Sequence, residues 1–344
     1  MIDIKLLEQL CLCNGISGDE GNVRNLIINE IKGCADDIKT DNLGNLIVFK
    51  KGKKSAKSKL MVSAHMDEVG LMVTDITSDG YLKFDEVGGI DRRVLPGKRV
   101  CVGRNGLNGV IGVKPIHLTN GDEKTAVPKM NDMYIDIGAE SREDALKYVN
   151  YGDSINFEGD FKINGKTVVT KALDDRFGCY VLINLIKSEP EYDMYFTFVV
   201  QEEVGLRGAR PAAFTVNPDF ALVIESTTAA DVAEVDASHQ VCNLSKGATV
   251  TVMDRATVYD KEMISAAFEL AEKNNIAVQY KRAVAGGNDS GAIHQSRGGV
   301  RTLAVSLPSR YIHAPSTAAN LDDCESVLKL AKVLSDYIAG GNLA

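Results

Sequence analysis

The spacing of apolar residues changes along the chain and divides it into two kinds of pattern. Residues 3–12 and 19–32 place apolar side chains three and four positions apart, which predicts two amphipathic helices. From about 69 to 165, short alternating runs are separated by glycines, which is typical of a small barrel or sandwich. From about residue 170, long helical patterns alternate with apolar strands. We therefore predict an α/β fold with a mixed, partly parallel central sheet flanked by helices and interrupted by a β module.

Local signals sharpen this prediction at a few points. Ser17 and Glu20 have the spacing of a capping box at the start of the second helix. The segment IKTDNLGNLIVFK has two alternating runs around Asn-Leu-Gly-Asn, which predicts a hairpin. Inside the β module, only SREDALKYVN has a helical pattern. The predicted domains are an α/β domain formed by residues 1–68 and 166–344 and an inserted β domain formed by residues 69–165.

Composition and charge exclude several classes of protein. The chain is 44% hydrophobic and 25% charged, as in soluble globular proteins. Its 344 residues are more than one ordinary hydrophobic core accommodates, which predicts a large domain plus a smaller one. The net charge of −8 argues against nucleic acid or an anionic membrane as the main partner. The one basic cluster, KKGKKSAKSK at 50–59, lacks interleaved aromatic residues and is interpreted as a solvated loop.

The cellular compartment is also suggested by the sequence. No apolar stretch approaches the ~18 residues of a membrane span, and the opening MIDIKLLEQL is an amphipathic helix rather than a signal peptide. The seven cysteines include no Cys-x-x-Cys pair, and most have apolar neighbours, so we interpret them as reduced small hydrophobic residues. We expect a cytoplasmic protein.

Four apolar runs of the α/β part resemble buried strands, and each leads to side chains that can bind a metal. His65 follows the run KLMVSA, and Glu202 and Glu203 follow MYFTFVV. Glu225 follows FALVI, and His313 follows VRTLAVSLPSRYI. Asp174 and Asp175 directly precede a predicted helix that starts near Arg176. In open α/β sheets the ligand crevice lies beyond the carboxyl ends of the strands, so we expect these side chains to meet at one edge.

The chemistry of these side chains indicates a metal centre made of nitrogen and oxygen ligands. With no cysteine among them, they suit zinc, cobalt or manganese. The adjacent carboxylates of Glu202 and Glu203 repel each other, so a nearby cation or a raised pKa is expected. One glutamate can then bind metal while the other transfers a proton, as hydrolysis by an activated water requires. The competing interpretation is a set of unrelated ion pairs and helix caps.

Five motifs together resemble one known family. They are SAHMDEVGLMV, KALDDR, VVQEEVGLRGA, GGNDSGAIH and SRYIHAPS. In this order and at these spacings the chain resembles the tetrahedral aminopeptidases of metallopeptidase family 42, which includes glutamyl and leucyl aminopeptidases and proteins once labelled cellulase M. The resemblance covers nearly the whole chain. It implies a zinc-exopeptidase-like α/β fold with an inserted PDZ-like β-barrel domain, and a two-metal aminopeptidase that acts on short peptides.

The resemblance also implies a role for each site residue. His65 and Glu225 would bind one divalent ion and Glu203 and His313 the other, with Asp174 bridging them. Glu202 would be the general base, and Asp67 would orient His65. Zinc or cobalt is the expected metal, and manganese is possible. At position 225 the family most commonly has aspartate, so Glu225 could change the metal spacing or preference. The family also implies a homo-oligomer built from dimers through the inserted domain, and often a dodecamer.

Several other features have weaker support. Asp231 lies further into the loop than Glu225 and is a weaker ligand candidate. The segment INGKTV does not have Walker spacing, and we interpret AGGNDSGAIH as a tight loop and helix start beneath the site. His117 is either structural or close to an active site, and His239 has no motif. The alternative functions are a non-enzymatic scaffold and a glycoside hydrolase, and the latter would need a carboxylate pair without metals.

Overall fold

The structure is a computed structural model and describes residues 1–343. In these residues, nine α-helices and seventeen strands form a large α/β body and a separate closed barrel, which confirms the predicted fold class. The helices are α1 (Ile4–Leu12), α2 (Gly21–Ile31), α3 (Gly121–Thr125), α4 (Arg142–Ala145), α5 (Leu173–Lys187), α6 (Ala209–Val216), α7 (Lys261–Lys273), α8 (Ser290–Ile293) and α9 (Leu321–Ala339). Within this described part of the chain, no helix is long and apolar enough to cross a membrane.

The strands divide between the two bodies. The large sheet contains β1 (Asp37–Thr40), β2 (Leu46–Lys50), β3 (Leu60–His65), β10 (Lys162–Asn164), β11 (Thr167–Thr170), β12 (Met194–Val199), β13 (Phe220–Thr228), β14 (Ala248–Val250), β15 (Val278–Tyr280), β16 (Arg301–Arg310) and β17 (Thr317–Asn320). The barrel contains β4 (Gly70–Ile76), β5 (Leu82–Val87), β6 (Arg99–Val102), β7 (Leu107–Gly112), β8 (Tyr134–Asp136) and β9 (Ser154–Phe157).

The centre of the large sheet is parallel and fully covered. Strands β12, β3, β13 and β16 are neighbours in that order and run parallel, whereas the flanking β2 and β17 pair antiparallel. All six residues of β3 are buried, as are all but one of β13. Continuous apolar burial of this kind is what a parallel sheet with helices on both faces requires. The core of this body includes the inner faces of α5 and α9.

The barrel has a core of its own. Its six antiparallel strands close in the order β4-β5-β8-β7-β6-β9, and Leu71, Leu82 and Ile135 are among the side chains that fill it. Alternate strand positions supply these residues, which is why the sequence shows a period of two there. The chain enters the barrel immediately after β3, so the junction lies beside the end of that strand.

The predicted elements agree with the structure except in detail. The two opening helices and the β1–β2 hairpin are confirmed. The helix predicted in SREDALKYVN is only the short α4. The strand at 162–164 was grouped with the inserted module, but it pairs with β11 in the large sheet. The domain limits themselves stay a prediction.

The predicted capping box at the start of α2 is wrong. Glu20 is itself the N-cap residue and makes no side-chain cap. The Ser17 hydroxyl instead donates to the Asp67 carboxylate at 2.6 Å, and Glu20 Oε1 accepts from the backbone N–H groups of Gly18 and Gln201 at 2.7 and 3.1 Å. Ser17 and Glu20 therefore make long-range hydrogen bonds, to Asp67 after β3 and from Gln201 after β12, instead of a helix capping box.

Candidate active site

The predicted site residues meet at the carboxyl edge of the parallel strands. His65 is the last residue of β3 and lies beside Val199, the last residue of β12. Ser63 pairs with Val223, so His65 and Glu225 lie at the same level two residues further along neighbouring strands. Glu225 lies inside β13, which continues to Thr228, rather than at its end. Topology alone thus brings together residues that are far apart in the sequence.

Asp174 connects two groups of ligands. Its Oδ1 is 3.3 Å from His65 Nε2, which is also 3.1 Å from Glu225 Oε1. Its Oδ2 is 3.5 Å from His313 Nε2, which is 3.2 Å from Glu203 Oε2. In each group the three ligand atoms lie within 4.8 Å of one another. One carboxylate with an oxygen facing each group has the geometry of a bridging ligand.

Unpaired buried atoms indicate that these residues fit metal ions. Asp174 Oδ1 and Glu225 Oε2 are buried and make no hydrogen bond, which is costly for a carboxylate. Imidazole nitrogens and carboxylate oxygens in groups of three are a donor set that zinc, cobalt or manganese accepts. Each group can therefore hold one divalent cation.

The electrostatics of the site also favour added positive charge. Burial raises the pKa of the Glu225 carboxyl to about 8 and raises the pKa of Glu202 well above its usual range, with further contributions from neighbouring carboxylates. Burial would lower the pKa of His313, but Asp174 and Glu203 raise it to about 11. Divalent cations would relieve this excess of buried negative charge.

Glu202 and Glu203 follow β12 and point into the same cluster. Glu203 contacts His313, and Glu202 forms a third possible group with His65 and Glu203, whose ligand atoms lie within 4.8 Å of one another. The structure thus places both adjacent glutamates near His65, and Glu203 also contacts His313.

Asp67 ties β3 to the loop after β12. Its carboxylate accepts hydrogen bonds from the backbone N–H groups of Glu202 and Glu203, both at 3.1 Å, and from Ser17. Burial would raise the pKa of the Asp67 carboxyl, but contacts with His65 and these donors lower it. The ring atom His65 Nδ1 is 3.0 Å from the backbone oxygen of Asp67 and 3.5 Å from its carboxylate. Asp67 thus contacts His65 mainly through its backbone oxygen, and its side chain accepts hydrogen bonds from the glutamate loop.

Asp175, next to Asp174 in the sequence, accepts hydrogen bonds from backbone groups and not from the ligand side chains. It is fully buried, and its carboxylate accepts from the backbone N–H of His65 at 3.3 Å and of Gly178 at 3.0 Å. Burial, together with the charge of Glu225, raises the pKa of Asp175 well above its usual range. Asp175 therefore contacts backbone donors, whereas Asp174 faces both ligand groups.

The sequence analysis missed Asp289. This residue precedes α8, is fully buried, and both of its carboxylate oxygens make no hydrogen bond. Burial raises its pKa to about 7, and the charges of His65, Asp67 and Glu203 also act on it. The motif GGNDSGAIH was the available signal, but nothing in a loop sequence shows that its acid is buried beside the site.

A buried ion-pair network next to the site was missed as well. Glu68 Oε1 accepts from Lys171 at 2.9 Å and from Arg176 at 3.3 Å, and Arg176 also donates to the backbone oxygens of Leu10, Cys13, Gly15 and Met66. All three charged side chains are almost fully buried. This network joins the end of α1 to the start of α5, the helix that carries Asp174.

The weaker candidates lie outside the cluster. Asp231 pairs with Arg310 at 2.7 Å. His294 Nδ1 contacts the backbone oxygen of Ser290 at 2.7 Å, and His239 lies in a short turn. His117 lies in an exposed barrel loop, and its role stays open. The seven cysteines are all free thiols.

Comparison with known proteins agrees with this geometry. A sequence model described as M42 glutamyl aminopeptidase matches residues 44–330. A putative aminopeptidase of Acetivibrio thermocellus is 43% identical, with 94% of this chain and 96% of that protein aligned. The TET aminopeptidase of a marine sediment archaeon of the Thaumarchaeota superposes with a TM-score of 0.92 at 33% identity, covering 96% of this chain and 95% of that one.

A third similar protein is the TET1 peptidase of Pyrococcus horikoshii, which can assemble into a tetrahedron or a large octahedral shell. It is 39% identical and superposes with a TM-score of 0.85. The alignment covers 96% of this chain and 98% of that one. Matches of this extent show the family and not just the fold. The chain is therefore a member of the M42 glutamyl aminopeptidase family and a metallo-aminopeptidase.

Proposed function

We propose that this enzyme is a dinuclear aminopeptidase that removes N-terminal residues from short peptides. The observation that supports the proposal most strongly is the position of Asp174, with one oxygen facing His65 and Glu225 and the other facing His313 and Glu203. His65 and Glu225 would hold one divalent ion, Glu203 and His313 the second, and Asp174 both. Zinc or cobalt suits these ligands best, and manganese is a further candidate.

Each protein group has a defined part in hydrolysis. Two divalent ions would supply the charge that lowers the pKa of an attacking water and polarises the scissile carbonyl. Glu202 accepts the proton of that water and passes it to the leaving amine. Burial raises the pKa of Glu202 above its usual range, and this direction favours the protonated form that Glu202 takes between the two steps. Asp67 holds the Glu202–Glu203 loop by accepting hydrogen bonds from both backbone N–H groups.

The surplus of carboxylates explains a preference for free N-termini. Glu202, Glu225 and Asp289 add carboxylate charge around the ligand groups, and Glu225 and Asp289 are buried. A protonated α-amine would be attracted to this charge, whereas an acylated N-terminus would have no positive charge to contribute.

We also propose that the chain assembles into homo-oligomers through the barrel body, with a dimer as the unit and a dodecamer as the larger form. The exposed apolar side chains of Ile116 and Leu118 lie on one barrel loop. The ability of the Pyrococcus horikoshii TET1 peptidase to form a tetrahedron supports the larger assembly.

A panel of aminoacyl chromogenic substrates tests the activity. The enzyme is chelated and then assayed with zinc, cobalt or manganese, each alone. We expect activity to disappear on chelation, to return with metal, and to be absent on matched N-acetylated substrates. Turnover that is insensitive to chelation, or equal on acetylated substrates, would contradict the proposal.

A further inference from the structure

The two histidines of the site are held in different ways. His65 belongs to β3, has a side chain that is 1% exposed, and contacts the backbone oxygen of Asp67 within its own body. His313 lies three residues beyond β16 on a backbone with φ of +62°, and its side chain is 37% exposed. A loop residue of this kind needs an external contact to keep its ring in one orientation.

That contact comes from the barrel. His313 Nδ1 is 2.9 Å from the backbone oxygen of Gly89, in the segment that follows β5. A carbonyl oxygen can only accept, so Nδ1 must carry the proton. Nε2 then faces Asp174 and Glu203, the side on which a cation would bind, and it becomes a metal ligand there when it loses its proton.

The neighbouring glycine places the same segment against the second ligand. Gly88 has φ of +84°, and a Cβ atom on it would lie 3.2 Å from Glu203 Cβ and 2.8 Å from Val69 Cγ1. The absence of a side chain therefore lets the barrel segment approach Val69 and the Cβ atom of Glu203. Both glycines touch the ligands of one group, Glu203 and His313.

We propose that the inserted barrel is a positioning element of the metal centre, because its Gly88–Gly89 segment sets the geometry of the Glu203–His313 pair. This inference rests on the proposed dinuclear site. It makes the two metal positions unequal, since His65 and Glu225 are fixed by the large sheet and do not depend on the barrel. Metal binding at Glu203 and His313 should in turn stabilise the contact of the Gly88–Gly89 segment with these two residues. The reason is that coupling between metal binding and the position of the segment is reciprocal.

A pair of glycine variants tests the inference. Gly88→Ala adds a methyl group in the tight position, whereas Gly152→Ala adds one in the barrel at a closely similar φ of +82° with nothing within 4 Å. Both variants therefore carry the same backbone strain, and only one of them displaces the segment. Titration of each chelated protein with zinc against a chromogenic chelator gives the number of bound ions and their separate affinities.

We expect wild type and Gly152→Ala to bind two zinc ions per chain. Gly88→Ala should bind the first ion with unchanged affinity and the second about 10- to 100-fold more weakly, the usual effect of disturbing a group that orients a ligand. Adding Val69→Ala to Gly88→Ala should restore part of the loss, because it removes the nearest clash. Equal affinities for both ions in Gly88→Ala and Gly152→Ala would overturn the inference and leave the dinuclear site intact. Fewer than two ions in wild type would overturn both.

Hydrogen exchange on the wild-type enzyme gives a second test that does not depend on a variant folding. Zinc should slow exchange of the amides of residues 88–91 relative to the chelated protein, while the barrel turn at Gly106 should not change. Zinc-dependent protection around His313 with none at 88–91 would show that the segment does not respond to the metal and would overturn the inference.

Discussion

Glu202 and Glu203 are adjacent in the sequence, yet the structure gives their carboxylates different surroundings. Glu203 is 3.2 Å from His313, with a side chain that is 4% exposed, and it faces one oxygen of Asp174. Glu202 has a carboxylate oxygen within 4.8 Å of a ring nitrogen of His65, and its pKa is raised well above its usual range by burial and by the carboxylates around it. These differences support a ligand role for Glu203 and a proton-transfer role for Glu202.

Glutamine substitutions separate the two roles. Glu203→Gln should weaken binding of one metal ion, because an amide is a poorer ligand than a carboxylate. Glu202→Gln should keep both ions and lower kcat by about 10²–10⁴-fold, with little change in substrate affinity. Metal analysis combined with steady-state kinetics distinguishes the variants. Near wild-type turnover of peptide amides by a fully loaded Glu202→Gln enzyme would assign the base to another residue.

The two aspartates at the start of α5 should also behave differently. Asp174→Ala should lose at least one metal ion and most activity, because its two oxygens face both ligand groups. Asp175→Asn should be milder, since its carboxylate contacts backbone N–H groups and belongs to neither ligand group. Metal content measured by mass spectrometry decides the point. Two equivalents per chain in Asp174→Ala would mean that it is not the bridge.

Asp289 should make the stability of the chelated protein depend on pH. Its pKa is about 3.8 in the unfolded chain and about 7 when buried, so its contribution to the free energy of unfolding falls as pH rises between these values. Asp289→Asn removes the charge. Its stabilising effect should be larger at pH 8 than at pH 5, by on the order of 1 kcal/mol.

Denaturant unfolding of the chelated wild type, Asp289→Asn and the exposed control Asp79→Asn provides the measurement. A pH-independent difference between wild type and Asp289→Asn would show that the buried carboxyl does not titrate in this range.

At the scale of the secondary-structure elements, the loop after β12 is held by hydrogen bonds to two other segments. Asp67 accepts from two backbone N–H groups of this loop, and Glu20 accepts from a third, that of Gln201. Asp67→Asn replaces one accepting oxygen by a donor that faces other donors. We expect kcat to fall about 10- to 100-fold. Ser17→Ala removes only one of the donors to Asp67 and should have a smaller effect, and the reverse order would contradict this account.

How much could be predicted from the sequence differs between elements. The parallel strands have continuous apolar runs, so the pattern alone was enough to predict His65, Glu203, Glu225 and His313 as candidates near their carboxyl ends. Contacts that join distant segments leave no local pattern. Ser17 and Glu20 have the spacing of a helix cap but bind strand ends, and the carbonyl of Gly89 acts through its backbone, which no side-chain motif records.

For the whole molecule, the exposed apolar residues of the barrel predict self-association. Ile116 is 68% exposed and Leu118 is 60% exposed on one loop. The double variant Ile116→Ser with Leu118→Ser should lower the mass measured by light scattering, whereas the exposed sheet-body variant Phe214→Ser should not. A wild-type enzyme that is monomeric at micromolar concentration would contradict the proposed assembly.

The central claim is that one chain holds two metal ions bridged by Asp174. Anomalous diffraction from crystals of the zinc-loaded enzyme, collected on both sides of the zinc edge, locates each ion directly. This account predicts two peaks per chain, one between His65 and Glu225 and one between Glu203 and His313, with one oxygen of Asp174 on each. A single peak, or two peaks of which only one contacts Asp174, would contradict it.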